Sequence, residues 1–81
     1  MTKYKKTVTT YEFSNGFIVE RDQKKDCIEF YISHKKYGIK SLMFGLCDMN
    51  EKAAEEMMLS EVERHMDIYK EDYFDFDDME K

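Results

Sequence analysis

The sequence predicts an α+β domain: an antiparallel three- to four-stranded meander, one long helix, and an acidic aromatic tail. Three observations carry that expectation. Short segments rich in Val, Ile, Thr and aromatics follow one another up to Ser33, each bounded by a polar turn. Asn15-Gly16 lies between two of them, a strong short hairpin signal. From Glu51 the apolar spacing changes to a helical period, with no Gly or Pro to interrupt it. The expected bounds are a sheet over about 5–44, a helix over about 50–72 and a tail over 73–81. All lie in one domain, 1–81.

The first strand is expected over Lys5 to Phe13 (KKTVTTYEF), with Thr9, Tyr11 and Phe13 on one face. Ser14-Asn15-Gly16 then turns the chain, and a type I′ turn needs positive φ at both central residues. Phe17 to Arg21 returns. Asp22 to Asp26 is polar and turns again. Cys27 to Ser33 (CIEFYIS) is the third strand, with Ile28, Phe30 and Ile32 on its core face. After the turn His34 to Gly38, Ile39 to Phe44 reads as a fourth strand or as the start of a helix, because Leu42, Met43 and Leu46 also suit helical spacing. Gly45 breaks that pattern.

The helix itself rests on spacing. At about 100° per residue, Ala54, Met58, Val62, His65 and Tyr69 form one stripe. Met57 and Ile68 widen it on one side, Leu59 and Met66 on the other. Glu56, Glu63 and Asp67 lie opposite. Asp48 with Glu51 fits a capping box, and Asn50 is the rival N-cap. The apolar band is wider than a one-sided surface helix needs, so a dimer is expected.

Charge is uneven along the chain. The net charge is −5, but residues 1–40 hold nine Lys/Arg and five Asp/Glu, net +4, and residues 41–81 hold four and thirteen, net −9. Six of the ten residues from Glu71 to Glu80 are carboxylates, interleaved with Tyr73, Phe74 and Phe76. Such a surface repels nucleic acid and anionic membrane and attracts basic partners. The longest apolar run, Leu42 to Cys47, is too short for a membrane span. Met1 leads into the polar run TKYKKT, so no export signal is expected. Two Cys are then expected as reduced thiols, small and buried, in a cytoplasm.

Little points to catalysis. Cys27, Cys47, His34 and His65 do not stand at metal-ligand spacing. Asp72, Asp75, Asp77 and Asp78 lack the central Gly of a calcium loop. His34, flanked by Lys35 and Lys36 in a turn, is a poor preorganised base, and His65 fits the core edge of the helix. No Gly-rich phosphate loop exists. The expectation is a non-enzymatic protein with no cofactor and no metal. Lys-rich turns with Tyr4, Tyr31 and Tyr37 offer a single-strand binding reading, but the −9 half opposes it.

The positive signal is acidic. A row of carboxylates can occupy a Lys/Arg cleft built for phosphates, and interleaved aromatics add anchors. The partner-binding residues expected on this basis are Glu56, Glu63, Asp67, Glu71, Asp72, Tyr73, Phe74, Asp75, Phe76, Asp77 and Asp78. In size, in its short sheet with a helix, and in the acids from Glu55, Glu56, Glu61 and Glu63 to Asp78, the chain resembles the small acidic inhibitors that phages and mobile elements make against host defence. These include anti-CRISPR and DNA-mimic proteins. The basic N-terminal half departs from mimics that are acidic throughout, which leaves mimicry by one face. The resemblance implies a stoichiometric inhibitor, without cofactor, that blocks a nucleic-acid-binding host protein such as a CRISPR effector in a bacterial cytoplasm. A small self-associating structural or regulatory protein, its +4 and −9 halves pairing between copies, is the alternative.

Overall fold

A computed structural model of the chain describes residues 3–73. Five strands come first: β1 (Tyr4–Lys6), β2 (Thr10–Phe13), β3 (Phe17–Gln23), β4 (Cys27–His34) and β5 (Ser41–Cys47). They form one sheet in sequence order, each antiparallel to the next. One helix, α1 (Glu51–Tyr73), crosses a single face of that sheet.

The expected first strand is two strands. The chain reverses at Val8-Thr9, so Lys6 stands opposite Tyr11. Thr7 closes this turn: its N–H and its hydroxyl both donate to the Thr10 carbonyl, and its Oγ1 accepts from the Thr10 N–H. Arg21 holds the outside of the turn, with its backbone N–H on the Thr9 carbonyl and Nη2 on the Val8 carbonyl at 2.9 Å. A run of Thr and Val carries the same strand preference on either side of such a reversal, so propensity alone did not mark it.

The Asn-Gly turn forms, but not as type I′. Gly16 has φ 94°, while Asp48 is the one non-glycine residue at positive φ among those described, so Asn15 is not in that region. The Gly16 N–H donates to the Phe13 carbonyl and the Phe17 N–H to Asn15 Oδ1. Register leaves three loop residues, Ser14, Asn15 and Gly16. That is the three-residue hairpin in which glycine takes the left-handed position. A Cβ on Gly16 would also lie 2.7 Å from His34 Nε2.

Of segment 39–44, the strand takes in only 41–44, starting at Ser41 rather than Ile39, and it is not helical; it runs on to Cys47 through Gly45, which lies opposite Glu29. The helical look of Leu42, Met43 and Leu46 has a physical source. The register slips between Phe30 and Tyr31, which places Met43 as an extra residue in β5. A bulge of this kind lets two successive side chains lean to one face, and Met43 and Phe44 both pack on the core.

The cysteines are not reduced buried thiols. Cys27 and Cys47 are directly opposed across β4 and β5, their Cα atoms are 4.2 Å apart, and they form a disulfide. A non-hydrogen-bonded antiparallel pair brings Cα atoms to about 4.5 Å, within disulfide reach. Cys47 is exposed and Cys27 half-buried, so neither is a core residue. Register put them together, and compartment arguments say nothing about register.

The core lies between α1 and the inner sheet face: Tyr11, Phe13, Phe17, Val19, Ile28, Phe30, Ile32 and Met43 below, Ala54, Met58, Val62, Met66 and Tyr69 above. Met66, not His65, completes the central stripe. His65 sits half-buried at the edge, its ring 5.7 Å from Phe44. Asn50 is the N-cap, its Oδ1 accepting from the Ala53 N–H at 2.8 Å. Asp48 instead takes φ 57° in the link from β5 and makes no capping box. At the other end the Tyr69 hydroxyl donates to the Ile39 carbonyl at 2.6 Å, and its ring meets Phe17 edge-on at 5.5 Å.

Candidate functional site

Because α1 buries one stripe, its opposite side is fixed. Glu56, Glu63, Asp67 and Glu71 are all exposed there, and Asp72 is exposed beside them. From Glu56 to Glu71 the row spans about 22 Å, at about 1.5 Å per residue. Among the described residues, none of these five carboxylates stands in an ion pair.

The other acids of α1 are differently placed. Glu55 faces the sheet, where its carboxylate takes the Lys6 ammonium at 2.7 Å and the Tyr11 hydroxyl at 2.9 Å. The hydrogen bond from Lys6 holds Glu55 below the usual carboxylate range, against the opposing effect of burial. Burial, and then Glu55, push Tyr11 up to about 12. Glu61 is taken by Arg64 at 3.1 Å. Glu51 stands 3.8 Å from Arg21, whose Nε is buried without a hydrogen-bond partner among the described residues. The acid row available to a partner is therefore shorter than the sequence suggests, since Glu55 and Glu61 have partners of their own.

Tyr73 is half-buried, with its ring 4.7 Å from Tyr69, so it extends the core at the end of α1. Phe74, Asp75, Phe76, Asp77 and Asp78 lie outside the described residues. His65 is held below its ordinary value, first by burial and then by Arg64.

The sheet has a second acidic surface on the face away from α1. Here register supplies counter-ions. Lys40 meets Glu20 at 2.7 Å, and Lys24 lies 3.4 Å from Asp22 and 3.8 Å from Glu29. The Tyr31 hydroxyl donates to Glu29 at 2.8 Å, and Lys40 lies over its ring. On the other face, toward α1, the Tyr4 ring lies tilted 6.0 Å from Tyr11 and 5.3 Å from Phe13. Lys6, Lys24, Lys40, Tyr4 and Tyr31 thus have partners within the fold: Lys6 through α1, Lys24 and Tyr31 through near neighbours in sequence, Lys40 and Tyr4 across strands.

No pocket opens among the described residues, and no group of three or more His, Cys, Asp or Glu among them is placed to hold a metal ion. No described helix is long and apolar enough to cross a membrane. Comparison with known proteins finds no matching family model, no matching curated protein and no matching solved structure.

Proposed function

We propose that the protein is a non-enzymatic inhibitor. It occupies a basic, nucleic-acid-binding surface of a host defence protein, such as a CRISPR effector, with the outer side of α1 and the acidic tail beyond it. The observation that carries this reading is the exposed row Glu56, Glu63, Asp67 and Glu71, without counter-ions among the described residues. A carboxylate row offers Arg and Lys the charge-assisted bonds they otherwise make with phosphate. Its side chains stand on a helix whose buried stripe and N-cap fix their direction, so little order is lost on binding. The tail adds Asp75, Asp77 and Asp78, with Phe74 and Phe76 as apolar anchors. The resemblance to anti-defence inhibitors supports the same partner class.

The mechanism needs no bond-making chemistry. Long-range attraction speeds the encounter, and displacement of the target's nucleic acid follows from sharing its cleft. The test is binding to a purified CRISPR effector by surface plasmon resonance across a salt series. The association rate is expected to fall with rising salt. Truncation after Asp72 is expected to speed dissociation. An association rate indifferent to salt, or equal binding by a variant with Glu63, Asp67 and Glu71 all replaced by Ala, contradicts the reading.

A further inference from the structure

The two edges of the sheet differ. β1 is three residues long and carries Lys5 and Lys6, the usual protection of a free edge. β5 is seven residues long, reads SLMFGLC, and has no charge along it. Among the described residues only β4 pairs with it, and Leu42 on it is 55% exposed. The bulge at Met43 interrupts this edge, but the outward N–H and C=O groups on either side of it are open to another strand.

α1 supplies the other half of this surface. Phe44 of β5 meets His65, while Glu55 and Met66 reach back to Tyr11 and Asn15 at the β2 side. His65 therefore marks the flank of the helix toward β5. At about 100° per residue, positions 57, 61, 64 and 68 lie further round that flank, along the free edge. They hold Met57, Glu61, Arg64 and Ile68. Met57 and Ile68 are 41% and 40% exposed, large apolar side chains left in water.

This stripe complements itself. Turned end for end about the midpoint between Glu61 and Arg64, it sets Met57 against Ile68 and Glu61 against Arg64. A two-fold axis does the same to two copies of the chain. The middle residue of β5 is Phe44, level with His65. The helix midpoint lies about 4 Å away along the axis, roughly one strand residue, so one axis serves both elements. α1 rests on β4 and β5, so paired β5 strands would put the two helix axes about 10–14 Å apart at about 4.8 Å per strand. Packed helices sit at about 8–10 Å, and long Met, Glu and Arg side chains span the difference.

We propose that the protein is a symmetric dimer. β5 pairs antiparallel with β5 of a second copy, and the Met57–Glu61–Arg64–Ile68 stripes pack across the same axis. The Glu61–Arg64 pair inside each chain becomes a four-charge cluster between chains. None of these residues belongs to the acid row of the inhibitor reading, so either idea can fail alone.

Charge reversal tests it, read by sedimentation of the folded, disulfide-bonded chain. The wild type is expected to be a dimer. Glu61→Arg alone sets two Arg on each stripe, and Arg64→Glu alone sets two Glu, so each variant is expected to dimerise about tenfold or more weakly. Mixing the two variants restores opposite charges and is expected to restore a heterodimer, which a purely intrachain role for the pair would not produce. Amide exchange on the wild type gives a second reading: outward β5 amides should gain protection with concentration. A monomeric wild type, single variants as dimeric as the parent, a mixture that stays monomeric, or unprotected β5 amides would overturn the proposal.

Discussion

The outer face of the sheet and the outer side of α1 are both rich in carboxylates, yet they are electrically different surfaces. On the sheet, Glu20, Asp22 and Glu29 each lie within 4 Å of a lysine ammonium, because turns and cross-strand neighbours bring Lys40 and Lys24 over them. On the helix, the position four after Glu63 is Asp67 and the position four after that is Glu71, so acid follows acid. Composition treats the two alike. Register and helical period decide which carboxylates are neutralised and which are left exposed without counter-ions among the described residues.

That contrast can be broken from the sheet side first. The largest effect is expected from the Cys27–Cys47 disulfide, which closes a loop at a sequence separation of 20. Replacing both by Ser should cost about 3 kcal/mol, read from urea unfolding. Exchange should rise first at β5 rather than along α1. Next is Gly16→Val, which sets a β-branched residue at φ 94° and a Cβ against His34. It should cost about 1–3 kcal/mol and lower the thermal midpoint. An unchanged midpoint would mean that this loop does not set the register on which the paired surface depends.

Tyr11→Phe removes one hydrogen bond to Glu55 and should cost about 1 kcal/mol. Acid titration probes the same cluster. Glu55 has a folded pKa below its ordinary 4.5, so its contribution is complete above that pH and is lost as pH falls through the folded value. Burial, and then Arg64, hold His65 below its ordinary 6.5 and favour its neutral form in the fold, so stability also declines as pH drops from 6.5 toward its folded value. Stability measured at stepped pH should show both losses, and Lys6→Met should shrink the lower one. Smallest is the helix side: Glu63, Asp67 and Glu71 all changed to Ala should leave stability level or raise it by a few tenths of a kcal/mol, about the size of like-charge i,i+4 repulsion.

The sequence shows what repeats locally. Ile28, Phe30 and Ile32 alternate into the core, and Ala54, Met58, Val62 and Tyr69 recur at helical spacing, so the layers and the core were readable from period alone. The acid row on the far side of α1 follows from the same arithmetic. What escaped depends on how distant segments align. Thr7 turns the chain by hydrogen bonds invisible to propensity. The extra residue at Met43 blurs strand and helix. Cys27 and Cys47 meet only in one register. Asn50 outcompetes Asp48 as cap because Asp48 is spent in the left-handed link out of β5. Glu55 counted as surface acid until Lys6 and Tyr11 arrived from the sheet.

On the inhibitor proposal, the uncompensated helix carboxylates bind the target and the compensated sheet carboxylates do not. The direct measurement is competition at a CRISPR effector, following its hold on labelled DNA by fluorescence anisotropy. Three proteins are compared: the parent, the helix variant with Glu63, Asp67 and Glu71 changed to Ala, and a sheet variant with Glu20→Gln, Asp22→Asn and Glu29→Gln. Each variant loses three negative charges, so net charge is matched. The expected result is DNA release by the parent and the sheet variant, and loss of release by the helix variant. DNA left undisturbed by the parent, or equal release by all three, would mean that the helix row is not the binding surface.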